Sequence, residues 1–374
     1  MKKLFAYCFV IFSIFSCTKE NDITPTANKI VLPTDEFHYY HETADTSYRI
    51  KGIIQLKDSS YILYGGMSLD DPFKAPYREF QNIIMKLDKY GQRVWQRRSG
   101  AANSPNGLDK LYITSNNNFI GFRHPFINDS PILFEFDSLG KSLSEKIIST
   151  TTKSVDIIRD DHGYLIVGGG QPTFHKISFS GNIEWTKKYS FIMNPSSVSQ
   201  FSDKSFALIG FGGSNYRNCL MKLDQNADSL WSKKYIGYKV QALPDNNILA
   251  IINGPDNMLK FIRLDTQGEE LWRVGAGYIE RASANYTNLN IIRFDDDNYV
   301  FSARELTSND NSLYLYLISG SGEVKRRIQI KLSIPWHFFA LTRTLDNGIL
   351  VVKSESIYKT SLDFIKLPDI NSWK

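Results

Sequence analysis

The chain is predicted to be all-β, a seven-bladed β-propeller of four-stranded antiparallel blades, and three observations predict it. Of its 374 residues 42% are hydrophobic, 13% aromatic and 22% charged, a composition that buries a core instead of remaining disordered. Its 24 glycines and 13 prolines suffice to punctuate many short segments. Above all, one unit of polar turns and short apolar runs recurs seven times.

In chain order, residues 1–16 read as a signal peptide. Lys2 and Lys3 form the basic start, and the apolar run over 4–15 is too short to span a bilayer, which takes ~20 residues. Ile14-Phe15-Ser16-Cys17 resembles the lipobox of bacterial lipoproteins, with a branched aliphatic residue three before the cysteine and a small one just before it. That resemblance implies that Cys17 becomes a lipidated mature N-terminus, whose several acyl chains, at ~0.8 kcal/mol per buried methylene, make anchoring essentially permanent. The alternative is an ordinary secretory signal with a chance cysteine. Residues 17–35, rich in Thr, Pro and Asn, are expected to be a flexible tether. The Lys19-Glu20-Asn21-Asp22 cluster resembles the surface-export signal of Bacteroidetes lipoproteins. The expected address is therefore the bacterial outer membrane, facing the periplasm or the surface.

Residues 36–374 are expected to form one domain. The segment Glu36-Phe37-His38-Tyr39-Tyr40-His41-Glu42 has strand composition and is expected to pair with the last unit to close the ring. The first half of each unit is a polar turn before an apolar run, as in Asp58-Ser59-Ser60 before Tyr61, or Asp346-Asn347-Gly348 before Ile349. These runs start at 61, 119, 164, 206, 248, 299 and 349. The second half is strand, turn and strand, often ending in Trp. Its best copies are Lys86-Leu87-Asp88-Lys89-Tyr90-Gly91-Gln92-Arg93-Val94-Trp95 and Arg263-Leu264-Asp265-Thr266-Gln267-Gly268-Glu269-Glu270-Leu271-Trp272. Lys222-Leu223-Asp224 to Trp231 keeps the spacing with Ala227 for the glycine, and a seventh copy is barely visible near Tyr358. Two hairpins per unit make a blade, and the repeats fall at about 48–100, 108–150, 154–190, 194–237, 238–277, 285–333 and 335–374. Trp95, Trp185, Trp231 and Trp272 are read as structural, each covering outer strands between neighbouring sheets.

The Leu/Ile-Asp-x-x-Gly-x-x-x-Trp units resemble the tryptophan-docking repeats of quinoprotein-like propellers. The whole pattern, over residues ~45 to 370, looks like the propeller lipoproteins of unknown function common in Bacteroidetes. The resemblance implies fold and carries little about activity, because the repeated residues are those that build blades.

Several chemistries are disfavoured. Cys8 lies in the signal and Cys17 is expected to be lipidated, so Cys219 alone remains in the domain, read as a buried small hydrophobe. No disulfide, cysteine zinc site or vicinal cysteine pair can form there, which argues against a quinoprotein dehydrogenase. Asp-box spacing and Gly-x-Ser-x-Gly are both missing. His38 and His41, three apart on a strand, point to opposite faces, and Asp295-Asp296-Asp297 lacks the spacing of a calcium loop. No metal and no cofactor are expected. Without Lys2 and Lys3 the charge is 42 − 39, or +3, with only short basic pairs such as Arg97-Arg98 and Arg326-Arg327, read as solvent-facing; a nucleic-acid partner is not expected.

Long connections remain. Residues 67–81 carry Phe73, Tyr77, Arg78 and Phe80; residues 123–131 carry His124 and Phe126; residues 275–287 carry Tyr278, Arg281 and Tyr286; Trp336 and His337 sit at the last inter-blade junction. On a propeller these gather at one face, where their aromatic, weakly basic character suits a sugar ring or a protein partner, although such aromatics also simply pack their own loops. The expectation is a monomeric, membrane-tethered, non-enzymatic binding or scaffolding module for a protein or carbohydrate. The alternative is a glycan-active enzyme with carboxylates at the channel mouth.

Overall fold

The computed structural model describes residues 35–40, 47–68, 80–99, 107–123, 130–150, 154–169, 171–191, 193–211, 219–256, 258–278, 289–294, 297–307, 310–331, 338–354 and 361–373. They form seven four-stranded antiparallel sheets, each built from strands consecutive in the chain except the last. The seven blades span 47–99, 110–147, 154–188, 194–233, 236–278, 291–331 and 338–367. In the last blade the fourth strand is the N-terminal Asp35–Tyr40, which runs antiparallel to Ser361–Leu367 with Asp35 opposite Lys366 and Tyr40 opposite Ser361. This closure explains why the seventh copy of the second hairpin is so faint. That blade has no such hairpin, because its outer strand arrives from the other end of the chain.

The core is distributed around the ring. Seven buried clusters are found among the described residues, one at each junction between adjacent blades. Leu63 and Ile83 of the first blade, for example, pack with Leu350 and Phe364 of the last. Apolar side chains on both faces of every sheet are thereby removed from water, which is why second strands such as Gly163–Gly168 are buried throughout while outer strands such as Ser142–Ile147 are largely exposed.

The turns behave as their residues require. Asp88 accepts hydrogen bonds from the amides of Tyr90 (2.9 Å) and Gln92 (2.8 Å), and Gly91 closes the turn at φ 80°. Asp137, Asp224 and Asp265 repeat the arrangement, while Ser178 and Ser319 do so through their hydroxyls. Ala227 holds the glycine position at φ 59°.

The same turns receive the tryptophans of the preceding blade. Trp231 Nε1 donates to the Thr266 carbonyl at 3.0 Å, and Trp272 Nε1 to that of Gly320 at 2.8 Å. A Cβ on Gly140 would lie 2.5 Å from the Trp95 ring, so this glycine serves both the left-handed turn and the close approach. In the sixth blade Arg326 stands opposite Leu317, where the first, third, fourth and fifth blades carry Trp, and Trp373 near the C-terminus fills in. It is buried in the cluster between the last two blades, and its carbonyl accepts from Arg326 Nε at 2.8 Å. Arg326 and Arg327 are therefore not solvent-facing decoration. Both are half-buried, and the Arg327 guanidinium lies 4.0 Å from the centre of the Tyr314 ring.

Both hairpin turns of the first six blades, and the one hairpin turn of the last, fall at one end of the ring, the tight-turn end. The links between second and third strands and between blades fall at the other.

Candidate functional site

Phe73, Tyr77, Arg78, His124, Phe126, Arg281, Tyr286, Trp336 and His337 lie outside the described residues, as does Cys17. Phe80 and Tyr278 are the first residue of strand Phe80–Leu87 and the last of Glu270–Tyr278, and their side chains are likewise outside the description.

At the tight-turn end the acidic residues build blades. Asp58 pairs with Lys86 at 3.1 Å, Asp245 with Arg263 at 2.6 Å and Asp346 with Lys366 at 2.5 Å, and Asp160 pairs with Lys176. Each ties a first-hairpin turn to the third strand of the same blade. His162 is exposed in such a turn, its amide donating to Asp160. Cys219 is a free, buried thiol beside the Met193 sulfur. Among the described residues no group of three His, Cys, Asp or Glu side chains is placed to hold a metal ion.

A different arrangement occupies the axis. The innermost strands are Ser47–Gln55, Lys110–Ile113, Ser154–Arg159, Asn194–Gln200, Ile236–Ala242, Ile291–Arg293 and Phe338–Arg343. Their last residues lie opposite Tyr61, Phe119, Tyr164, Phe206, Ile248, Tyr299 and Ile349, the starts of the seven apolar runs, so the seven can be aligned by register: Gln55, Ile113, Arg159, Gln200, Ala242, Arg293 and Arg343 are equivalent. Two residues earlier every blade has an aliphatic side chain: Ile53, Leu111, Ile157, Val198, Val240, Ile291 and Leu341. Three residues earlier the layer reads Gly52, Lys110, Asp156, Ser197, Lys239, Asn290 and Ala340.

The charged members of that layer converge. Lys110 of the second blade forms an ion pair with Asp156 of the third and also donates to the Ile157 carbonyl at 2.9 Å. Asp156 is buried and accepts from the amides of Ile157 (2.9 Å) and, in the fourth blade, Val198 (3.0 Å). Tyr112 donates to the same Ile157 carbonyl at 2.7 Å, and Lys51 pairs with Asp109 at 3.4 Å between the first two blades. Lys239, on the fifth blade, lies close enough that the charges of both Asp156 and Lys110 act on it. Blades two and three are not neighbours of blade five in the ring, so what brings these charges together is their shared position on the innermost strands.

The electrostatics follow from burial and pairing. Burial pushes the Lys239 ammonium below the usual lysine range, with Lys110 adding to the effect and Asp156 opposing it. Burial alone would raise the Asp156 carboxyl, but Lys110, Lys239 and the Val198 amide together hold it below the usual carboxylate range. Burial would lower Lys110, yet Asp156 and Tyr112 outweigh it and keep the lysine charged. Tyr64, buried beside this group, is pushed up to about 12 by desolvation.

Reasoning from loop length alone misses this layer. Aligning the seven turns and stepping back along each strand does place Lys110, Asp156 and Lys239 in one column, but other columns of these strands vary as well, so the sequence does not single this one out.

No family model matches the chain, and no curated protein does. Among solved structures it is similar to a catalytically inactive virginiamycin B lyase from Staphylococcus aureus with quinupristin, at 12% identity and a TM-score of 0.58, covering 90% of this chain and 100% of that one. KlHsv2 with loop 6CD replaced by a Gly-Ser linker aligns at 10% identity and a TM-score of 0.51, over 82% and 89%. A protein of unknown function from Bacteroides caccae aligns at 11% identity and a TM-score of 0.44, over 71% and 94%. At such identities the likeness shows the fold alone: the chain is a seven-bladed β-propeller of four-stranded antiparallel blades.

Proposed function

We propose that the protein is a lipid-anchored component of the bacterial outer membrane, periplasmic or surface-facing, that binds a protein or carbohydrate partner without turning it over. The observation that carries this reading is the direction of chain entry. Asp35 lies opposite Lys366 at the tight-turn end, and the strand from it runs toward the other end. A tether from Cys17 therefore joins the ring on the side of the short, self-capped turns and leaves the long connections, with Tyr77, Arg78, Phe126 and Arg281, free to meet a partner. Cys17→Ala is expected to move the protein from the membrane to the soluble fraction; unchanged membrane retention removes the anchor. Capture of the intact lipoprotein from its own membranes, compared with a Tyr77→Ala/Arg78→Ala variant and a Tyr90→Ala variant at the tight-turn end, tests the binding face. Loss of a co-purifying partner only in the first variant is expected, and loss only in the second overturns the assignment.

A further inference from the structure

The innermost strands carry seven basic residues, Arg49, Lys51, Lys110, Arg159, Lys239, Arg293 and Arg343, against one acidic residue, Asp156. That is +6, whereas the whole chain carries +5, so the rest of the molecule sums to −1. Of these cations Lys51 is paired with Asp109, Arg159 lies over the Phe179 ring and Arg343 over that of Phe294, so Lys110 and Lys239 are the ones left to act within the polar layer, where low-dielectric walls strengthen their effect on an anion.

Within the polar layer the balance is also uneven, with two lysines facing one carboxylate. Asp156 is committed to Lys110 and to two backbone amides. Lys239 is half-buried and has neither an ion pair nor a hydrogen bond among the described residues. In the same layer, between the blades of Asp156 and Lys239, the Ser197 hydroxyl is 1% exposed and has no hydrogen-bond partner. An ammonium without a counterion and an orphaned hydroxyl at one height are costly features unless something completes them.

We propose that this layer is a binding site for a small oxyanion, a carboxylate or phosphate group, held by the Lys239 ammonium with Lys110 as the second cation. The ligand's negative charge brings the layer from +1 to neutral, and an oxyanion oxygen accepts from Lys239 without disturbing the Lys110–Asp156 pair. A compact ammonium on a flexible stem suits a single oxyanion better than a planar, bidentate site would require. The site is independent of the membrane anchor and of the loop-face partner, so its failure leaves the reading above intact.

The test is titration of the mature full-length chain in detergent with sodium phosphate, acetate and glucuronate, at ionic strength held constant with chloride, followed by calorimetry and thermal shift. At least one oxyanion is expected to bind saturably. Lys239→Met is expected to weaken it at least tenfold while Lys239→Arg and the rim variant Lys187→Met retain it; circular dichroism checks that each variant is folded. Glucuronate binding more tightly than acetate identifies an acidic sugar as the source, whereas phosphate binding most tightly identifies a phosphate-bearing one. No saturable binding of any oxyanion over chloride, or equal binding by folded Lys239→Met, overturns the proposal. If Lys239→Met does not fold, the pH dependence of binding decides instead: loss as the pH rises from 7 to 10 in the wild type, with binding retained in Lys239→Arg, supports the site, and wild-type binding that persists unchanged to pH 10 overturns it.

Discussion

Two neighbouring layers of the inner strands, one residue apart, differ completely. The layer of Ile53, Leu111, Ile157, Val198, Val240, Ile291 and Leu341 is the same in chemistry all round the ring, and the layer of Gly52, Lys110, Asp156, Ser197, Lys239, Asn290 and Ala340 repeats only its lysine. The first answers a demand that every blade makes, namely burial of an apolar side chain against its neighbour. The second faces the single axis that all blades share, where seven identical residues would meet one another. In a repeat protein, agreement between copies reports architecture, and individual tasks have to be sought in the positions where the copies vary and carry charge. The outer rim supports the same lesson, since Trp95, Trp231 and Trp272 recur and dock alike.

The largest effect is expected at the axis. Asp156→Ala leaves Lys110 without its partner, and one-sided loss of such a pair costs about 3 kcal/mol, at the low end because Lys110 keeps part of its surface in water. Chemical denaturation of the variant measures it, and a loss below ~1 kcal/mol means that the pair is not the organising feature of the layer. The pH dependence has a definite sign. The folded carboxyl lies below its ordinary value, so its contribution is fully present above about pH 4 and is lost as pH falls through the lowered pKa. Asp156→Ala should therefore flatten the acid limb of the stability curve, and an unaltered limb contradicts the assignment.

A somewhat smaller loss is expected at the rim. Trp272→Ala removes a half-buried ring beside Phe301 and the bond to Gly320, for about 2–3 kcal/mol of destabilisation by thermal or urea unfolding. Since this is a repeated contact, anion binding at the axis should not change, and a parallel loss of both would blur the distinction between the layers. Smallest of all is Lys187→Ala, which breaks an exposed inter-blade pair with Asp228 and is expected to cost under ~1 kcal/mol. A larger cost would show that charges at the rim hold the ring together as its clusters do.

Much of this fold could be read in advance because blades are local objects. A turn such as Asp88-Lys89-Tyr90-Gly91 is specified by its own carboxylate and its own glycine, and a hairpin by the residues that flank it. The candidate site was less legible. Lys110, Asp156 and Lys239 belong to three different blades, and no spacing between them signals that they meet. Arg326 illustrates the same point, for its role depends on Trp373 filling a place that its own blade leaves open.

By itself, then, the sequence determined the number of blades, the chemistry of their turns and the tryptophans that join them, because each depends on residues a few positions apart or on a period that repeats. Only the tertiary structure decided how the ring closes, from which end its first strand enters and which charges share the polar layer. Those depend on where the seventh blade comes to rest against the first, a relation set by the cumulative packing of all seven junctions and by no single stretch of chain.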